Sequence, residues 1–321
     1  MYIVSESAVK KVATPKMIFD AVKIAFISVA QNRSNLFPVV IASGLERGDS
    51  FSIKSGNLKE PSLCGVKLGS YWPNNHTRHG VPNHSTVTVL LDTETGIAKA
   101  VVNAGYLNGL RTSAANAVAS SVLARKDSKV LSVLGAGHQA YFEIQALCSL
   151  FAFDTIHIWN RTEAKALELA QTIEKDFGVK TISTNIETAV GFADILITVT
   201  NSTKALFDAS LVKPGTHISA MGADQKGKQE LPVDLLKTAL CFADFPKQSL
   251  IIGEFESLSK ADFNAKITAI GEVLVDPAKG RTSNDEITVF DSSGIAIQDL
   301  CAAYCVLEST IKAGLAQKVQ F

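Results

Sequence analysis

"KVLSVLGAGHQA", residues 129–140, is the stretch on which the fold of this chain turns. A short apolar run ends at Gly135 and Gly137, and Ala140 completes the pattern G-x-G-x-x-A at the start of a helical segment. The first glycine permits a tight turn, the second lets a pyrophosphate approach the backbone, and the small third residue lets helix and strand pack closely. The helix N-terminus then faces the phosphates. A second apolar run, "TIHIWN" (155–160), follows in the order a dinucleotide-binding unit requires. Cofactor contacts are therefore expected at Gly135, Gly137, His138, Gln139 and Ala140. The alternative is a purely structural turn in an α/β domain.

Such units usually carry an acidic residue at the end of the second strand, where it accepts both ribose hydroxyls of NAD and repels a 2′-phosphate. Here Asn160, Arg161 and Thr162 stand at that place. Asn160 removes the repulsion, and Arg161 can donate charge-assisted bonds worth about 1.5–3 kcal/mol each. A tenfold preference needs only about 1.4 kcal/mol. NADP(H) is favoured on this reading and NAD(H) remains possible, because Arg161 could instead point into solvent or stack on adenine.

Outward from this motif, strands and helices alternate to about residue 298: "ADILITVT", "GTHISAMG" and "ALCFADF" are apolar runs between amphipathic segments. That alternation predicts a parallel sheet covered on both faces. Thr200, closing "ADILITVT", and Met221, in "GTHISAMG", extend the expected cofactor contacts. Upstream the texture differs. Residues 6–31 read as one or two helices broken near Pro15. From Phe37 to Ala104 come short β-rich runs, with "DTETG" (92–96) marking a hairpin. Residues 111–126 read as an alanine-rich helix headed by Arg111, and the segment from about Asp299 to Lys318 as a last apolar helix returning to the first domain. The expected division is 1–117 plus about 299–321, and 118–298. The fold class is α/β: a Rossmann-type parallel-sheet domain beside a discontinuous α+β domain.

The chain has 321 residues, enough for two cores, and 46% hydrophobic against 19% charged residues argues against disorder. Its 31 basic and 31 acidic side chains balance, with no basic stripe, so neither nucleic acid nor an anionic membrane is expected as partner. The N-terminal segment does not read as a secretory signal, and no run approaches a bilayer span. Five cysteines at spacings that suit no disulfide framework or zinc site indicate a reducing, cytoplasmic setting, with Cys301 and Cys305 as buried thiols. The histidines show no metal-ligand spacing, and no metal is expected.

Three polar positions stand out elsewhere: Lys67 in "GVKLGSYWPNN", Arg111 in "LNGLRTSAANA", and Asp224 in "AMGADQKGKQEL". Lys67 lies in an apolar strand and Arg111 in a helix of small residues. Cations in such places need an anion, either a substrate carboxylate or an internal ion-pair partner.

Together with "LDTETGIAKA", "VLGAGHQA", "HIWNRT", "KPGTHISAMGADQKGKQEL" and "DEITVFDSSGIAIQDL", these segments resemble the ornithine cyclodeaminase/mu-crystallin family over nearly the whole chain. The resemblance implies a homodimer with a Rossmann domain and a separate substrate-binding and dimerisation domain. It implies that Lys67 and Arg111 bind a substrate carboxylate. Asp224 takes the acid/base position at the substrate nitrogen, with Lys67 counted beside it as catalytic. Thr112 joins the glycine turn at the pyrophosphate, and Ser293 lies at the nicotinamide end. The shared chemistry is hydride transfer between a nicotinamide and the α-carbon of an amino acid/imino acid pair. The reaction expected here is reduction of a 2-imino acid, such as Δ1-pyrroline-2-carboxylate or iminosuccinate, to an L-amino acid. A cyclodeaminase-type lyase using bound NAD and an alanine dehydrogenase-like enzyme are the alternatives.

The sequence departs from the family at one place. Many members carry a basic residue just after the proline of an early strand, as a third hold on the carboxylate; "LFPVVIAS" offers Val39 and Val40 instead. Lys54, in the following strand, could replace it. "FPVV", "YWPNN" and "NHST" resemble the iminosuccinate reductases of the family, whereas "WNRT" resembles its NADPH-using ketimine reductases. His79 and His84 could contact a second carboxylate or act as acids, or be loop histidines.

Overall fold

A computed structural model describes residues 1–261 and 266–320. The chain divides into two compact units, Met1–Arg111 with Ile295–Phe321, and Thr112–Gly294.

The chain opens with β1 (Tyr2–Val4), α1 (Glu6–Val12) and α2 (Pro15–Ala30). The break between the two helices is where Pro15 was expected to make it. Pro15 opens α2, where its missing N–H costs nothing, and Thr14 caps it by accepting from Met17 N. Then come β2 (Ser34–Leu36), β3 (Val40–Ser43), β4 (Ser50–Leu58), β5 (Leu63–Tyr71), α3 (Asn75–His79), β6 (His84–Leu91) and β7 (Ala98–Asn103). The turn joining β6 to β7 is held by Asp92, whose Oδ1 accepts from Glu94 N, Thr95 N and the Thr95 hydroxyl. α4 (Gly105–Leu123) begins six residues earlier than the sequence suggested. Asn103 takes the Gly105 N–H at its start, so Arg111 lies inside the helix and does not head it.

The second unit runs β8 (Val130–Leu134), α5 (His138–Cys148), β9 (Thr155–Trp159), α6 (Glu163–Phe177), β10 (Lys180–Ser183), α7 (Ile186–Phe192), β11 (Ile195–Thr198), β12 (His217–Ala220), α8 (Val233–Thr238), β13 (Leu240–Ala243), α9 (Pro246–Ile252), α10 (Glu256–Lys260), β14 (Ile267–Ala269), α11 (Ile270–Val275) and β15 (Thr288–Asp291). Its sheet has the order β10-β9-β8-β11-β12-β15-β13-β14, and every neighbouring pair is parallel. The chain winds outward from β8 through β9 to β10, then returns to β11 on the other side of β8. That reversal is a topological switch point, where such sheets bind ligands beyond the carboxyl ends of their strands. Strands buried on both faces read as continuous apolar runs, as "ILIT" of β11 does. One core layer joins Leu134, Leu196, Ile218, Val289 and Phe255.

In the first unit, α12 (Ala296–Lys312) packs against α2 and against β4, β5 and β6, and β16 (Gln317–Lys318) pairs with β1. The sheet has the order β16-β1-β7-β6-β5-β4-β2, with β3 also paired to β4. It is antiparallel apart from the β1–β7 pair. Among the described residues no helix is long and apolar enough to cross a membrane. All five cysteines are free; Cys301 is buried as expected, but Cys305 is half-buried.

Candidate active site

In the first unit, side chains of β5 alternate. Leu63, Gly65, Lys67 and Gly69 are buried, while Cys64, Val66, Leu68 and Ser70 are not. Lys67 thus points to the face that α12 covers. There its ammonium donates to Asn108 Oδ1 at 2.8 Å and lies 3.3 Å from Asp299 Oδ1. Arg111, three residues on from Asn108 in α4 and so nearly a full turn later, meets the same two oxygens. Its Nε is 3.0 Å from Asp299 Oδ1, its Nη2 donates to Asn108 Oδ1 at 2.8 Å, and its Nη1 to Gln298 Oε1 at 3.3 Å. The ion-pair alternative raised for both cations is therefore real, with one carboxylate serving the two.

One anion shared by two cations leaves the cluster positive. Burial, then the charge of Arg111, brings the Lys67 ammonium down to about 7, against the pull of Asp299. Burial alone would push the Asp299 carboxyl up, but Arg111 and then Lys67 hold it below the usual carboxylate range. Lys54 acts on both groups. It stands directly across from Lys67 in the β4–β5 register, hence on the same face. The β3–β4 register sets Val40 opposite Ile53, and continued by one residue it sets Val39 opposite Lys54. The cation missing at position 39 thus has a cross-strand counterpart.

Further polar atoms gather on this face. Thr88 lies across from Lys67 on β6, and Thr86 lies across from Gly69. Among the described residues the hydroxyls of Thr86 and Thr88, Gln298 Nε2 and Asp299 Oδ2 are buried without a hydrogen-bond partner. Buried polar groups in folded proteins are nearly always satisfied, so such a group of exceptions calls for a polar ligand or ordered water. Asn108, Gln298, Asp299, Thr86 and Thr88 were all missed in the sequence. Asp299 was findable, because a lone acid in "IAIQDLCAAY" needs a cation as surely as Lys67 needs an anion. His84, at the start of β6, and His79, in α3, are exposed. His84 lies with its ring 6.2 Å from that of Tyr71.

In the second unit the glycine turn caps β8 at the switch point. Gly135 has φ +123°, and a Cβ there would come within 2.6 Å of Val199 O, so only glycine fits. A Cβ on Gly137 would meet nothing within 4 Å, which leaves that side of the turn open. Gly137 caps α5 without a side-chain bond, so no capping side chain fills the N-terminus of this eleven-residue helix. These features fit a dinucleotide pyrophosphate. His138 packs edge-on against Phe142, Gln139 donates to Glu143, and Ala140 is fully buried under the helix. Asn160 is built into the turn, accepting from Ala136 N at 3.2 Å and donating to Thr162 O at 2.9 Å. Arg161 and Thr162 are exposed beside it.

Thr200 and Met221 follow the carboxyl ends of β11 and β12, as Gly135 follows that of β8. Ser293, after β15, accepts from Gln248. Thr112, in α4, is half-buried. Asp224 is exposed on the loop after β12, 2.6 Å from Lys228.

The second unit is thus a dinucleotide-binding α/β domain by its topology and its turn, and the first is built around a cationic clasp. The ornithine cyclodeaminase/mu-crystallin family model matches residues 3–314, and the chain belongs to that family. It is 34% identical to the iminosuccinate reductase of Paracoccus denitrificans over 100% of both chains. The structure of that reductase with NAD+ superposes with a TM-score of 0.95, covering 100% of this chain and 99% of that one. The alanine dehydrogenase of Archaeoglobus fulgidus is 34% identical over 99% of this chain and 98% of its own. An archaeal alanine dehydrogenase dimer with bound NAD matches at TM-score 0.94 and 33% identity, covering 100% and 99%. The Δ1-pyrroline-2-carboxylate reductase of Thermococcus litoralis, with NADH and L-proline, matches at TM-score 0.93 and 25% identity, covering 99% and 100%.

Proposed function

We propose that this protein is a nicotinamide-dependent reductase of 2-imino acids that yields the corresponding L-amino acid. The observation that carries the reading is the clasp. Lys67 and Arg111 converge on Asp299 and Asn108, which leaves a positive, partly unsatisfied polar face. A substrate carboxylate supplies the second anion this cluster lacks, with Lys54 as a further hold and His84 near the end of the same sheet. Fixing the carboxylate also fixes the adjacent imine carbon, and such placement is worth several kcal/mol of a barrier. A nicotinamide, when bound, would supply the hydride for that carbon. Lys67, brought to about 7 by its surroundings, exchanges a proton near neutrality, and Asp224 or a water it holds manages the proton on nitrogen. The family relatives' imino-acid and amino-acid chemistry agrees with this reading. A lyase closing a ring would need an acid for the ω-amine, whereas Asp299, the one carboxylate at this clasp among the described residues, is already shared by two cations.

NADP(H) is the cofactor we favour, with NAD(H) also accepted. Asn160 spends its amide on the turn and brings no negative charge, and Arg161 stands exposed beside it. A homodimer also follows. The sheet face opposite α12 carries the cross-strand row Val40, Ile53, Leu68 and Val87 and the row Val66, Val89, Val101 and Ile3. Leu68 is 45% and Val40 50% exposed, an apolar face of the kind a second copy covers. Leu68→Lys should yield a monomer by light scattering; an unchanged mass would remove this face from the account.

The reaction is tested by following oxidation of NADPH and NADH separately, with Δ1-pyrroline-2-carboxylate and with oxaloacetate plus ammonia. Turnover of either imine supports the reading and sets ring against open-chain substrate. Consumption of neither cofactor, with ammonia released from ornithine, would replace it by the lyase.

A further inference from the structure

Asp224 and the cofactor positions Thr200 and Met221 lie on loops, and loops place atoms poorly unless something ties them down. The tie here is a glutamate the reaction does not use. Glu230 is fully buried, and each of its oxygens accepts a backbone N–H: Oε1 from Thr200 at 2.6 Å, and Oε2 from Gly222 at 2.9 Å. Oε2 also takes the Thr198 hydroxyl at 2.8 Å. Thr198 and Ala220 are the last residues of β11 and β12 and are paired in register, with Leu134, just before the glycine turn, on the far side of Thr198. One carboxylate therefore joins the ends of two central strands on the edge where the nucleotide turn lies.

The same carboxylate closes the loop that carries Asp224. That loop leaves β12 at Gly222 and returns at Glu230, so the side chain at one end binds the backbone at the other. Gly222 is required by the closure, because a Cβ would come within 2.3 Å of Thr200 O and 2.6 Å of Glu230 Oε2. Glu230 is itself fixed from below by Glu254, also fully buried, which accepts from Glu230 N and from Leu231 N.

We propose that Glu230, seated on Glu254, is a positioning residue that sets the cofactor-facing ends of β11 and β12 and closes the Asp224 loop. The inference rests on the nicotinamide-dependent reading above for its purpose. An amide cannot replace this carboxylate, because both oxygens face N–H donors and Gln must turn its own N–H₂ group against one of them. The molecule holds an internal comparison. At the opposite edge of the sheet Asp194 accepts from Lys129 N and Val130 N, bonds of the same kind at the start of β8.

The test measures cofactor dissociation constants by fluorescence, together with thermal midpoints, for Glu230→Gln, Thr198→Val and Asp194→Asn. Glu230→Gln should weaken cofactor binding by about tenfold or more, the equivalent of one lost charged hydrogen bond, and Thr198→Val less in the same direction. Asp194→Asn should lower the midpoint and leave the cofactor constant within about twofold, its carboxylate lying away from the ligand edge. Thr198→Val keeps the shape of the side chain and serves if Glu230→Gln does not fold. Unchanged cofactor binding in Thr198→Val and any folded Glu230→Gln, or weakening in all variants in proportion to lost stability, would overturn the proposal. Binding is read without turnover, so a wild-type protein that binds cofactor but reduces no imine would defeat the reductase reading and leave this result standing.

Discussion

The protein buries charge in two ways. In the first unit Lys67, Arg111 and Asp299 are nearly inaccessible, and opposite charges meet. In the second unit Glu230, Glu254 and Asp291 are fully buried and, among the described residues, form no ion pair; burial raises all three, Glu254 and Asp291 well above the usual carboxylate range. An isolated buried charge is costly, and a group either finds a counter-charge or gives up its own. The acidic cluster has no counter-charge and is held by hydrogen-bond donors instead. Its oxygens accept from the backbone and from hydroxyls such as that of Ser249, so it works as a structural tie. The basic cluster takes the first course only in part. Two cations share one anion, and that deficit is the basis of the substrate site proposed above.

The comparison breaks most easily at Asp299. Asp299→Asn leaves Lys67 and Arg111 buried together without a counter-charge, and removing one partner of a buried pair costs about 3–5 kcal/mol. The thermal midpoint should fall clearly, and Lys67 should drop below about 7, since Asp299 is what raises it. Arg111→Ala acts in the opposite sense on Lys67, because Arg111 is a cause of its depression. Its main effect is on the substrate. Loss of a buried charged contact of about 2–5 kcal/mol should raise KM and lower kcat together. Unchanged steady-state kinetics in Arg111→Ala would remove the clasp from the mechanism. The smallest effect is expected at the nucleotide. Arg161→Ala should cut the preference for NADPH over NADH by about tenfold, the value of one exposed charge-assisted contact. An unaltered ratio would show that Arg161 points away from the cofactor.

Much of the second unit was legible because its determinants are local. The G-x-G-x-x-A turn, the apolar runs of β8, β9, β11 and β12 and the amphipathic α6 each declare themselves within a few residues. β10 ("KTIS") and β14 ("ITA") were not seen, since neither carries the continuous buried apolar run of β11 and each is made a strand by its neighbour in the sheet. In the first unit β3 to β7 and the "DTETG" turn were visible, whereas the short β1 and β2 were not and β16 was read as the end of α12; Lys67 and Arg111 stood out as charges in apolar company. Their partners did not. Asn108 is a polar residue on a helix, Gln298 and Asp299 come from the far end of the chain, and Thr86 and Thr88 look like ordinary strand residues. Only the register of β5 on β6 and the seat of α12 bring them together. The early start of α4 was missed because Gly105 and Gly109 weaken a helix prediction. Glu230 and Glu254 are likewise invisible as a pair, 24 residues apart.

The central claim is that a substrate carboxylate completes the charge of the Lys67 cluster, and proton uptake on binding tests it directly. With Lys67 at about 7 in the free protein, a bound carboxylate beside it raises that value. Above pH 7 the complex then holds more protons than the free protein, so binding takes up a proton and weakens as pH rises. We would titrate pyrrole-2-carboxylate, an unreactive planar analogue of the ring imine, into the cofactor-loaded enzyme by calorimetry at pH 8 in buffers of different ionisation enthalpy. The account predicts net uptake of a fraction of a proton, abolished in Lys67→Met. Binding of equal strength in both proteins with no proton taken up would contradict it.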